Sequence, residues 1–116
     1  MNKVLLVDDE TIFIEALSDA MRRRLENTEF HLASDGQEGW DMFQKIKPHI
    51  VITDYSMPRL NGDGLAQNIR QAGGDTRIIL VSGYIDDIEH SMYDEIMRKP
   101  VKPTDLAKVL RQYLGC

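Results

Sequence analysis

Cysteine is almost absent from the 116 residues: Cys116, the last, is the only one. No intramolecular disulfide is possible, which suits a reducing compartment. Long apolar runs are missing too. No stretch approaches the ~18 residues of a membrane span, and no signal peptide opens the chain. The default expectation is therefore a cytoplasmic protein with no membrane partner. Positive charge is in deficit, with 14 Lys and Arg against 19 Asp and Glu and a formal net charge of -5. That balance argues against direct nucleic-acid binding through a bulk field. The one basic run, Arg22-Arg23-Arg24, is offset by Glu26 and Glu29 and reads as the solvated face of a helix. Repeats, low-complexity tracts and Pro/Gly/Ser-rich linkers are also lacking. Residues 1–116 read as one domain, long enough for a core without staples.

The chain does carry an alternation of short apolar runs with amphipathic stretches. Strands are expected at Lys3 to Val7, Phe30 to Ala33, His49 to Thr53, Arg77 to Val81 and Glu95 to Arg98. Helices are expected at Thr11 to Leu25, Gln37 to Ile46, Gly62 to Gln71 and Pro103 to Leu114. A short or irregular helix is expected from Gly83 to Tyr93. Ile14, Leu17, Met21 and Leu25 share one face of the first helix. Ser34-Asp35-Gly36 reads as a turn, and Pro48 ends the second helix. Thr104 and Asp105 stand at the start of the last helix, where a cap and a negative charge are favourable. Five strands alternating with helices imply an α/β protein, an open parallel sheet covered on both faces.

Ligands bind such sheets at the carboxyl ends of the strands. The first strand runs "KVLLVDDE" and leaves Asp8 and Asp9 there. The third leaves Asp54, the fourth Ser82 and the fifth Lys99. Carboxylates gathered in one cleft repel, and a hard divalent cation such as Mg²⁺ resolves the conflict. Solvated acids after a strand are the plainer alternative for "DD" alone. Asp54 beside Mg²⁺ has the chemistry of a nucleophile towards phosphorus. Lys99 would add positive charge and Ser82 a hydroxyl donor. Gly83 leaves room for a phosphoryl group. Pro100 makes a cis bond after Lys99 possible, which would help aim the lysine, with an ordinary trans turn as the alternative. His31, His49 and His90 are widely spaced and read as structural. No G-x-S-x-G elbow surrounds Ser82.

With "LLVDDE", "IVITDYSMPRLNGDG", "IILVSGY" and "RKPVKP" in this order, the chain resembles the receiver domain of two-component response regulators over essentially its whole length. The resemblance implies a flavodoxin-like sheet of order 2-1-3-4-5. It implies that Asp54 accepts a phosphoryl group from a phosphohistidine, supplied by a histidine kinase or a histidine phosphotransfer protein. It implies that Asp9, Asp54 and the backbone carbonyl of Ser56 contact Mg²⁺, with Asp8 acting largely through water. Ser82 and Lys99 would hold the phosphoryl oxygens, and the acyl phosphate would switch contacts with an output protein. Such a domain is a self-phosphorylating and self-dephosphorylating switch, not a turnover enzyme.

Two departures from the family pattern stand out. Ile96 occupies the position, three before the lysine, where most receivers carry Tyr or Phe. An aliphatic chain cannot make the same inward aromatic movement. Sixteen residues separate Ser82 from Lys99, about one helical turn fewer than is typical. Tyr84 and Ser56 flank the path of the hydrolytic water in the family. A bulky Tyr84 there predicts a longer phosphorylated lifetime, against a solvent-facing ring of little effect. Three alternatives stay open at this point. One is a receiver module of a hybrid sensor kinase or multidomain regulator. Another is a phosphorylation-independent binding module, which the complete residue set opposes. The last is a Mg²⁺-dependent hydrolase with an aspartyl-phosphate intermediate, opposed by Ser56 where a second catalytic aspartate is usual.

Overall fold

The computed structural model describes residues 1–83 and 91–115. Val4 to Val7 and Ile50 to Val51 are essentially inaccessible to water. A strand buried on both faces needs no polar alternation, and these runs have none. They form β1 (Asn2–Val7) and β3 (Ile50–Thr53). With β2 (Thr28–Ala33), β4 (Arg77–Ser82) and β5 (Glu95–Arg98) they make one five-stranded sheet of order β2-β1-β3-β4-β5. Every pairing is parallel. This is the flavodoxin-like arrangement expected above.

Successive side chains of a strand point to opposite faces, so each strand feeds two cores. Val4, Leu6, Ile52 and Val81 pack with Ile14, Leu17 and Met21 of α1 (Thr11–Arg24) and with Leu106 and Leu110 of α4 (Pro103–Leu114). Leu5, Val7, Val51 and Leu80 pack with Phe43 of α2 (Gly36–Ile46) and with Leu65 and Ile69 of α3 (Gly62–Ala72). Burying each of these large side chains contributes about 1.5–3 kcal/mol relative to exposure. The apolar face read from the first helix is the buried one, and Leu25 caps it at 5% exposure. Among the described residues no helix is long and apolar enough to cross a membrane.

Several boundaries differ from the sequence expectation. β2 begins at Thr28 instead of Phe30, because backbone pairing of Asn2 with Thr28 and Lys3 with Glu29 extends the ladder through two half-exposed polar residues. Asp35 is the N-cap of α2: its carboxylate accepts the Glu38 amide at 2.8 Å, and Glu38 reaches back to the Ser34 amide at 3.2 Å. The first bond satisfies a donor that the helix start leaves open, and the second anchors the residue before the cap. Lys47, at φ 49°, ends α2 just before Pro48. The cap position of α4 is Lys102, which gives no side-chain cap bond, and not Thr104. Pro103 takes the first helical position, where its missing amide costs nothing. The expected helix between the fourth and fifth strands falls mostly on residues 84–90, outside the described residues, as do Tyr84, His90 and Cys116.

The loop after β3 is held by the start of α2. Arg59, itself at φ 70°, makes a two-pronged ion pair with Asp35 at 3.2 Å for each contact. Gly36 lies so close to this loop that a Cβ there would sit 1.7 Å from the Leu60 carbonyl oxygen. The clash is with backbone, so it cannot be relieved by a side-chain rotation. Gly36→Ala is therefore expected to destabilise the fold by about 1–3 kcal/mol, in the range of overpacking substitutions. The midpoint of urea unfolding measures this, and an unchanged midpoint would contradict the tight seating of the loop.

Candidate functional site

The sheet register brings the strand ends into line. Val7 pairs with Thr53, so Asp8 and Asp54 emerge side by side. The Asp54 amide donates to the Val7 carbonyl at 3.0 Å, and the Asp8 amide to the Ala33 carbonyl at 3.1 Å. Ser82 pairs with Arg98, and the Lys99 amide donates to the Ser82 carbonyl at 2.9 Å. Four strand ends thus meet at one edge. The Lys99–Pro100 bond is cis.

The Lys99 ammonium is the centre of this edge. It lies 2.9 Å from Asp8 Oδ2, 2.7 Å from Glu10 Oε1 and 3.5 Å from Asp54 Oδ2. It also sits 4.7 Å from the centre of the Phe13 ring, a cation–π distance. Asp8 is buried, while Glu10 is exposed and closes the cluster from the solvent side. Asp8 Oδ1 accepts the Glu10 amide at 2.9 Å, and Asp54 Oδ1 accepts the Tyr55 amide at 2.8 Å.

Charge governs the protonation of this cluster. Burial pushes the Asp8 carboxyl above its ordinary range, with the Asp54 charge adding to the rise. Hydrogen bonds from the Glu10 amide and Lys99 oppose it. Burial disfavours charged Lys99, but hydrogen bonds to Glu10 and Asp8, with the field of Asp8 and Asp54, outweigh it and hold the ammonium well above its usual range. Lys99 is therefore a permanent cation at any working pH.

Oxygens of Asp8, Glu10 and Asp54 all lie within 4.8 Å of one another. Two like charges about 4 Å apart repel by about 4 kcal/mol at a surface dielectric. One ammonium cannot neutralise three carboxylates. An all-oxygen donor set with residual negative charge fits a hard divalent cation. Asp9 is exposed and is not one of the three clustered acids. Ser56 is exposed in the loop after Asp54, and Ser82 is buried at the end of β4. A Cβ at Gly83 would meet no described atom within 4 Å. Ile96 is half-buried on β5 against the α2/α3 core.

The roles of Glu10 and Phe13 are not evident from the sequence. Both come from the chain where it enters α1, three residues apart and so on one side of the helix start. An acid or an aromatic at a helix start has many ordinary uses, so neither residue stands out before Lys99 is seen between them.

The response regulator receiver domain model matches residues 4–111. The chain belongs to the response regulator receiver domain family. This receiver domain is 33% identical over 95% of its length to an uncharacterized response regulatory protein of Staphylococcus epidermidis, spanning 45% of that protein. It is 30% identical over 98% of its length to the Regulator of RpoS of Escherichia coli K12, spanning 34% of it. The receiver domain thus spans less than half the length of these curated relatives. Among solved structures, the two-component transcriptional regulator AraC of Clostridium phytofermentans matches with a TM-score of 0.86 at 28% identity, covering 99% of this chain and 93% of that one. The receiver domain is accordingly a signalling module of the two-component type.

A cation bound here must compete with a proton on Asp8. At about 100 times its dissociation constant, Mg²⁺ is expected to stabilise the fold by about 2.7 kcal/mol. Because the Asp8 pKa is raised, the folded state holds that proton at higher pH than the unfolded chain does. The Mg²⁺ gain should therefore shrink as pH falls through the raised range of Asp8. Asp8→Asn should lose most of the gain at neutral pH. Urea unfolding with and without Mg²⁺ measures both, and an equal gain in wild type and variant would contradict the assignment.

Proposed function

We propose that residues 1–116 form a phosphoacceptor switch in which Asp54 takes a phosphoryl group from a phosphohistidine. The observation that carries this reading is the Lys99 ammonium set among Asp8, Glu10 and Asp54 at the carboxyl edge of the sheet. A carboxylate oxygen of Asp54 attacks phosphorus. The P–N bond breaks, its electron pair stays on the imidazole nitrogen, and that nitrogen takes up a proton. Lys99 neutralises charge on the phosphoryl oxygens, and the Ser82 hydroxyl donates to one of them. Hydrolysis later adds water to phosphorus and breaks the P–O bond to Asp54, releasing phosphate and restoring the carboxylate.

The clustered acids fit Mg²⁺: Asp8 and Asp54 are two of them, and Asp9 and the Ser56 carbonyl, outside the cluster and exposed, would complete the set that holds it. When bound, the ion screens the phosphoryl oxygens and orients the attack. The donor would be a histidine kinase or a histidine phosphotransfer protein.

The Lys99 arrangement also supports the phosphoacceptor reading over a phosphorylation-independent binding module. A lysine used only for stability would not need to be held among three acids at the sheet edge where ligands bind. Incubation with a radiolabelled histidine phosphotransfer protein tests the proposal. Label should move to the wild type, and none to Asp54→Asn. Lys99→Gln should slow transfer about 100-fold, in the range for loss of one transition-state donor. Transfer to Asp54→Asn at the wild-type rate would overturn the reading.

A further inference from the structure

Tyr93 lies two residues before β5, buried in the α2/α3 core against Leu65, Ile69 and Leu80. Its hydroxyl donates to Asp63 Oδ1 at 2.5 Å. Asp63 stands in the first turn of α3. Burial, and then the Asp63 carboxylate, push the phenol far above its ordinary pKa, so the hydroxyl remains a donor. Ile96, three residues on, carries no polar group. Tyr93 is thus a buried aromatic joined to α3 both by packing and by a hydrogen bond from its hydroxyl.

A second tie lies two turns along the same helix. Arg70 donates to the Met92 carbonyl at 2.7 and 3.1 Å, to Asp94 Oδ2 at 2.9 Å and to the Thr76 carbonyl at 2.9 Å. Asp94 in turn accepts the Ile78 amide at 2.8 Å. Residues 63 and 70 are seven apart and share a helix face. Met92 and Asp94 are therefore fixed to α3 on either side of Tyr93. A shift of Asp63 reaches the phenol and is not absorbed by slack in the chain.

The start of α3 in turn touches the phosphoacceptor. Asp54 Oδ1 accepts the Tyr55 amide, and the Tyr55 carbonyl accepts the Gly62 amide at 2.7 Å. A Cβ on Gly62 would lie 2.5 Å from the Asp54 carbonyl oxygen. The contacts run without a gap from the Asp54 carboxylate through Tyr55 and Gly62 to Asp63 and Tyr93. Phosphorylation turns the carboxylate into a mixed anhydride: the negative charge moves out onto the phosphoryl group, and the remaining carboxyl oxygen is a neutral, weaker hydrogen-bond acceptor. The bond from the Tyr55 amide is then weakened, and the turn leading into α3 adjusts.

We infer that the Tyr93–Asp63 hydrogen bond carries the state of Asp54 through the first turn of α3 to the β5 edge. This rests on the phosphoacceptor reading above. β5 begins at Glu95, and the Tyr113 hydroxyl ties its start to α4 through the Asp94 carbonyl at 3.1 Å and Glu95 at 3.0 Å. Movement at Tyr93 is thereby delivered to the surface that β5 and α4 share.

Nuclear magnetic resonance of the chain labelled with ¹³C at the tyrosine ζ carbon tests this. Beryllofluoride with Mg²⁺ serves as the phosphoryl probe, and Tyr93→Phe assigns the resonance. The Tyr93 signal should shift on adding the probe to wild type and stay still in Asp54→Asn. In Tyr93→Phe the Ile96 and Met97 amides should lose most of their response, while the Tyr55 amide still responds. A moving Tyr55 amide with a stationary Tyr93 ring overturns the inference alone. A Tyr55 amide that never moves overturns the phosphoacceptor reading, and this inference with it.

Discussion

Everything at the carboxyl edge of this sheet depends on one ammonium among three carboxylates. Lys99 reaches Asp8, Glu10 and Asp54 from the end of β5 and makes their proximity tolerable. The charge stays undercompensated because the parallel register of β1, β3, β4 and β5 forces these residues to one place. A buried ion pair adds little net stability once desolvation is counted. Its effect here is to hold three acids together at the sheet edge where ligands bind in folds of this kind.

The surroundings of Asp54 are built to stay in place. Arg59 and Asp35 lock the loop after β3 to the start of α2, and Gly36 lets the two approach closely. On the far side, Gly62 packs on the Asp54 backbone and α3 grips the approach to β5 through Asp63 and Arg70. In the proposed switch, Asp54 sits beside a loop tied to α2 and α3, and a chain of contacts joins it to the β5 edge. Receiver domains belong to two-component signalling, and this chain shares their fold over nearly its whole length.

Much of this is legible in the sequence because buried parallel strands announce themselves as short apolar runs. The residue at the carboxyl end of each run then has a known location, and Asp8, Asp54, Ser82 and Lys99 can be gathered on that ground alone. Thr28 and Glu29 do not read as strand because an edge strand carries no continuous apolar signal. Thr104 looks like a cap because caps are recognised by residue type, whereas Pro103 fixes where α4 starts. Glu10 and Phe13 escape notice because their use depends on a lysine about ninety residues away. Asp63 and Tyr93 share no local pattern, and their pairing comes from packing of α3 beside β4.

The central claim is that Asp54 is the acceptor and that the acidic edge makes it one. Intact mass after incubation with a small phosphodonor and Mg²⁺, then borohydride reduction and peptide mapping, tests it most directly. The account predicts a gain of one phosphoryl group, dependent on Mg²⁺, with reduction marking Asp54. Phosphorylation mapped to another residue, or no gain either from the small donor or from a phosphohistidine protein, would contradict it.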